Sequence, residues 1–249
     1  MDAAVKRQLR RLAAKYETTD FLKGDPSCFM HQVEGAANRE ATAFVASCLS
    51  FGSRSQFLPK IRRLVDCADG NIDLWIRRGA FARDFSCEST DCFYRFFTHG
   101  HMRGFFDAYR ALLERHGTLG GYVEREANGD GYAAVSAICR YFASAGSDAV
   151  VPKDAKSACK RVCMFLRWMA RSGSPVDLGL WAGFVDRRTL VMPLDTHVVQ
   201  QSVRLGLMRN ASASMSAARR LSQMLLDVFP DDPLKGDFAL FGYGVNAGA

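Results

Sequence analysis

The chain lacks any run of about 18 apolar residues, so no membrane-spanning helix is expected. Its basic, amphipathic start, MDAAVKRQLRRLAAKYE, lacks the apolar stretch of a signal peptide, and a cytoplasmic location is expected. No two of its eight cysteines are spaced C-x-x-C; they are Cys28, Cys48, Cys67, Cys87, Cys92, Cys139, Cys159 and Cys163. Zinc and iron–sulfur sites need ligands at close, repeated spacing, so neither is expected. Eight reduced thiols are expected instead, with Cys48, Cys139 and Cys163 packed among apolar helical residues. Internal repeats, low-complexity linkers and sustained period-2 patterns are also missing.

What is present is an ordinary globular balance. Hydrophobic residues make up 48% and charged residues 24%, which excludes a wholly disordered chain. The 249 residues allow one large domain or two small ones. Lys+Arg number 33 against 26 Asp+Glu, giving +7. That excess favours a polyanionic partner such as nucleic acid without singling one out.

The apolar period is helical. Phe57, Ile61, Leu64 and Val65 form one stripe, and Phe105, Phe106, Tyr109, Leu112 and Leu113 a second. Val135, Ile138 and Phe142 form a third. Val162, Phe165, Leu166 and Met169 form a fourth, and Leu221, Leu225 and Val228 a fifth. Glycines at 52, 70, 79, 117, 129, 146 and 173, with Pro230, separate them. The fold is expected to be all-α, with roughly ten to thirteen helices at typical lengths. The best strand candidate is Thr189–Met192, and it has no evident partner.

Two ionisable residues sit where chemistry is possible. In VPKDAKSACKRVCMFLRWMAR (151–171) a Pro/Lys/Asp turn leads into an amphipathic helix that Lys160 opens. A lysine at a helix N-terminus opposes the macrodipole, and Lys153, Lys156 and Arg161 crowd it in sequence. Partial burial against Val162 and Met164 would act the same way. All these effects disfavour the charged amine, as a nucleophilic lysine requires. For a lysine chosen blindly, a solvated position on a basic helix face is the ordinary outcome.

In VMPLDTHVVQQSVRL (191–205), Pro193 forces an extended approach and Asp195 stands at an N-cap position. An N-cap carboxylate is rigid, so a plain cap and a functional carboxylate are compatible. His197 is expected to be a packed or surface histidine. His99 and His101, spaced H-x-H, lack a third metal ligand of matching spacing.

The basic turn, the lysine opening an apolar helix, and the later PLDTHV segment (193–198) resemble the helix-hairpin-helix DNA glycosylase superfamily, which includes endonuclease III and the 8-oxoguanine DNA glycosylases. Carried over by position, Lys160 matches the nucleophile and Asp195 its essential partner. The usual Leu-Pro-Gly-Val-Gly type of hairpin is replaced here by VPKDAKSAC (151–159), without glycine, and the gap from Lys160 to Asp195 is wider than in endonuclease III. Both departures are more like the archaeal 8-oxoguanine DNA glycosylase (AGOG) branch. The whole chain also resembles a group of uncharacterised bacterial proteins through CKRVCMFLRWM (159–169), VDLGLW (176–181), PLDTHV and DPLKGDFALFGYG (232–244).

The resemblance implies two helical subdomains flanking a cleft, with Lys160 and Asp195 facing each other across it. Residues 38–171 would form a central helical barrel ending in the hairpin, and 1–37 with 172–249 the second subdomain. It implies a bifunctional DNA glycosylase and AP lyase, with 8-oxoguanine as the expected lesion. No metal or organic cofactor is implied, and no iron–sulfur cluster either, since no cysteine follows Cys163. The expected partner is double-stranded DNA with a damaged base, bound by a monomer. Lys153, Lys156, Arg161 and Arg167 are the expected phosphate contacts, with Arg171 continuing the basic run. Trp168, Trp181, Phe238 and Phe241 are available base stackers, and Gln56 is a candidate reader of the base edge. The competing reading is a noncatalytic nucleic-acid-binding helix-hairpin-helix protein. A third is an all-α interaction protein whose positive charge serves solubility.

Overall fold

The five apolar stripes all become buried helix faces or their continuations. In a computed structural model, which describes residues 1–246, the chain is mostly helical. In chain order it forms α1 (Ala3–Tyr16), α2 (Cys28–His31), α3 (Ala36–Leu49), α4 (Arg54–Cys67) and α5 (Ile72–Arg77). A two-stranded antiparallel hairpin follows, β1 (Cys92–Tyr94) and β2 (Phe97–Thr98). Then come α6 (His99–His116), α7 (Leu119–Ala127), α8 (Gly131–Ser144), α9 (Lys160–Ala170), α10 (Thr196–Arg204), α11 (Met215–Leu225) and α12 (Lys235–Asn246). The strand expected at Thr189–Met192 does not form. Thr189 closes a 3-10 turn, and the Met192 amide donates to Ser222 Oγ (2.8 Å) in place of a neighbouring strand. No helix among the described residues is long and apolar enough to cross a membrane.

The chain divides into two compact units. One comprises Met1–Lys23, Gly129–Val135 and Ala155–Ala249; the other comprises Gly24–Asn128 and Ser136–Asp154. This division differs from the expected boundary at 171: α9 and the residues from Ala155 that precede it belong with the C-terminal third.

The Gly24–Asn128 and Ser136–Asp154 unit is built round α3, which is buried along nearly its whole length. Phe44 on α3 packs against Phe105, Tyr109 and Phe142 at centroid distances of 5.8, 5.3 and 5.2 Å. Glu40, buried on the same helix, accepts from the backbone N–H groups of Leu119 and Gly120 at the start of α7. Its position among apolar neighbours is thereby satisfied. His101 is used as a cap: its ring accepts from the Thr98 amide while Thr98 Oγ1 accepts from the His101 amide.

In the other unit α12 packs against both α1 and α10. Two glycines permit this approach. A Cβ at Gly242 would lie 2.5 Å from Tyr16, and one at Gly244 would lie 2.8 Å from His197. The C-terminal end of α9 is closed by the following loop, whose Leu178 and Trp181 amides donate to the carbonyls of Trp168 and Met169 (2.8 and 2.7 Å). That loop carries the chain through the buried segment Leu190–Leu194 to Asp195.

Candidate active site

Lys160 is set by the turn in front of it. Ser157 pairs through its backbone with Ser214, and Cys159 takes a left-handed conformation (φ 45°) as the N-cap of α9. A non-glycine residue in that region is strained by about 1 kcal/mol or more, so the turn must be held by its surroundings. The buried Cys159 side chain and the Ser157–Ser214 bridge provide that hold. Lys160 then emerges as the first residue of α9 with its side chain 36% exposed.

Asp195 is fixed more tightly. The buried run Leu190–Leu194 leads into it, and its backbone is extended (φ −103°, ψ 178°). Oδ1 accepts from the Val198 amide (2.8 Å), capping α10. Oδ2 is turned to Lys160, 3.8 Å from Nζ, and the carboxylate is 12% exposed. One oxygen thus serves the fold and the other faces the amine. The separation is within ion-pair range but longer than a hydrogen bond, which leaves the amine free to reorient. Both residues lie in the same unit.

The other end of α9 is different. Arg167 was expected to contact phosphates, with Arg171 continuing the basic run, and they are instead 3% and 1% exposed. Arg167 Nε donates to Asp177 (3.2 Å) and its Nη1 to Asp237. Arg171 donates to Asp232 (2.8 and 2.9 Å), to Glu17 (2.6 Å) and to Asp177. Both guanidinium groups lie over the Phe238 ring, at 4.5 and 5.1 Å. Burial opposes the Arg171 cation, but Asp177, Asp232 and Glu17 outweigh it and raise its pKa. Burial pushes the Asp177 carboxyl up against the pull of both arginines. Burial likewise pushes Asp237 up to about 6, against Arg167, with the nearby Asp195 charge adding to the rise. Arg167 is therefore a structural ion in this fold and not a phosphate contact.

The remaining expected residues scatter. Lys153 and Lys156 are exposed on the loop before α9, and Arg161 is half-buried. Trp168, Trp181 and Phe238 are core side chains at 0–2% exposure, so they present no face to an everted base. Phe241 is half-buried and meets the His197 ring edge-on at 5.9 Å. Gln56 is exposed in the first turn of α4. Cys48, Cys139 and Cys163 are buried in helices, as their apolar neighbours suggested. Among the described residues no group of three or more His, Cys, Asp or Glu side chains is placed to hold a metal ion.

Sequence reasoning missed a basic cleft of about 620 Å³ lined by Tyr132, Lys156, Ser216, Arg219, Arg220 and Gln223. The signal was the Arg219–Arg220 pair on the polar face of α11.

A family model describing proteins of unknown function, DUF2400, matches residues 25–246. The chain belongs to the DUF2400 family. No curated protein and no solved structure matches it. The match takes in Lys160, Asp195 and all the buried ion network except Glu17.

Proposed function

We propose that this DUF2400 protein is a DNA base-excision glycosylase with AP-lyase activity, and that 8-oxoguanine is its lesion. The observation that carries the reading is the pair itself: a half-exposed lysine at a helix start, 3.8 Å from a carboxylate locked as the cap of another helix. A noncatalytic binder has no use for that arrangement. The resemblance of the 151–205 region to helix-hairpin-helix glycosylases supports the same roles.

The target nucleotide is first turned out of the stack, because C1′ is hidden inside a duplex. Neutral Lys160 Nζ attacks C1′, and the N-glycosidic bond breaks with its electron pair leaving on the base. The proton released by the amine passes to Asp195 and from there to the departing base. The Asp195 carboxylate, fixed beforehand by its helix cap, also tolerates positive charge developing on the sugar. The C1′–O4′ bond then opens, with O4′ taking a proton from water, to leave a protonated imine on Lys160. Loss of the C2′ proton expels the 3′ phosphate and nicks the strand. Water hydrolyses the imine and frees the lysine.

Lys153, Lys156 and Arg161 contact the phosphates in this reading, and binding weakens as salt rises. Borohydride reduction with an 8-oxoguanine duplex is expected to trap a covalent protein–DNA adduct. Lys160→Gln abolishes the adduct, and Asp195→Asn sharply slows base release. If the wild-type protein gives no adduct with any of a panel of damaged bases, the enzyme reading fails and the noncatalytic DNA-binding reading replaces it.

A further inference from the structure

We propose that the cleft between the loop before α9 and the exposed face of α11 is a phosphodiester-backbone site, in which Lys156, Arg219 and Arg220 hold consecutive phosphates of one DNA strand beside Lys160. The choice of DNA rests on the reading above; the anionic chemistry rests on the cleft.

Its charge is of one sign. Three of the residues lining the 620 Å³ space are cations, and none of its described lining residues is acidic. The cations are also oriented. The Arg219 guanidinium lies 4.2 Å over the Tyr132 ring, which holds its plane at the cleft wall. Arg220 Nη1 donates to Ser216 Oγ (2.7 Å), one turn back toward the start of α11. Planar, positioned guanidinium groups suit phosphate oxygens, and each still has donors to spare. An adjoining cleft of about 480 Å³ shares Tyr132, Arg219 and Gln223 but contains Asp130 and the Asp186–Arg188 ion pair. The charges of that end cancel, Asp130 and Asp186 against Arg188 and Arg219, so a polyanion is drawn more strongly to the Lys156 end.

The backbone connects this cleft to the candidate active site. The Ser157–Ser214 bridge joins the loop carrying Lys156 to the cap of α11, and Ser157 lies three residues before Lys160. A strand held by α11 is thereby registered against the start of α9. Neither Lys160 nor Asp195 lines the cleft, as a backbone site distinct from the reacting sugar requires.

The test is fluorescence anisotropy of a labelled duplex containing a tetrahydrofuran abasic analogue, titrated with the full chain over a range of salt. The Arg219→Gln/Arg220→Gln variant is expected to bind at least about tenfold more weakly, with a salt slope smaller by about 2. Lys156→Gln, on a separate segment, reduces the slope by about 1. Arg7→Gln/Arg11→Gln, which removes the same charge from the exposed face of α1, leaves the slope at its wild-type value. Wild-type affinity and slope in the α11 variant, or equal losses in the α1 control, overturn the proposal.

Borohydride trapping separates the two claims. If the wild type traps DNA and the α11 variant binds and traps as well, the cleft assignment fails and the enzyme reading stands. If the variant loses binding but the wild type never traps, the cleft stands without the enzyme.

Discussion

The two ends of α9 use the same kinds of charge to opposite purposes. At its start, Lys160 is 36% exposed and meets one carboxylate at 3.8 Å. At its end, Arg167 and Arg171 are sealed against Asp177, Asp232, Asp237 and Glu17, at exposures of 3% and 1%. A buried guanidinium with several short partners cannot be released for binding, because leaving its carboxylates unpaired costs several kcal/mol. A half-exposed amine at ion-pair distance is not locked in this way. Burial, more than residue type, separates the locked guanidinium groups from the accessible amine on this helix.

The largest expected effect breaks the sealed end. Arg171→Met strands Asp232 and Glu17 and leaves Asp177 with Arg167 alone, and should destabilise the fold by about 3–5 kcal/mol in urea denaturation. A loss below about 1 kcal/mol would remove the distinction between the two ends.

The second effect is pH-dependent and also belongs to the sealed end. Asp237 keeps its proton up to about pH 6 when folded, against 3.8 for a free carboxyl. Between those values the folded state binds more protons than the unfolded state. The sign follows: this group's contribution to stability falls as pH rises from about 4 to 6, then levels off. The loss is on the order of 3 kcal/mol. Asp237→Asn should abolish this component, so its stability relative to wild type rises over that range. A constant difference between the two proteins from pH 4 to 7 would contradict it.

The third effect separates the two jobs of Asp195. Asparagine is as good an N-cap as aspartate, so Asp195→Asn should change stability by only a few tenths of a kcal/mol while base release collapses. Asp195→Ala should lose both, with about 1 kcal/mol of stability gone. Equal stability losses in the two variants would show that the carboxylate acts through more than its cap. The smallest effect is Lys160→Gln: within about 0.5 kcal/mol in stability, since exposed pairs contribute little, and complete loss of the covalent adduct.

Much of the helical fold was legible. Stripes such as Phe57–Ile61–Leu64–Val65 match the buried faces directly. Asp195 was legible as a cap because capping is local. The hairpin at Cys92–Thr98 was missed because two strands this short carry no period. Arg167 and Arg171 were misread for a different reason. Their partners Asp232 and Asp237 lie 61 and 70 residues away, and a basic run read locally cannot reveal them. One signal was available. Phe165, Leu166, Trp168, Met169 and Ala170 leave the second half of α9 with no polar face, so any charge there had to be buried. The segments VDLGLW and DPLKGDFALFGYG supply Asp177, Asp232 and Asp237, the carboxylates of the buried ion network.

The most direct test is mass spectrometry of the borohydride-reduced complex with an 8-oxoguanine duplex, after protease and nuclease digestion. A deoxyribose-derived mass is expected on the peptide that carries Lys160, and on no other lysine. Modification of a different lysine, with Lys160 intact, would contradict it.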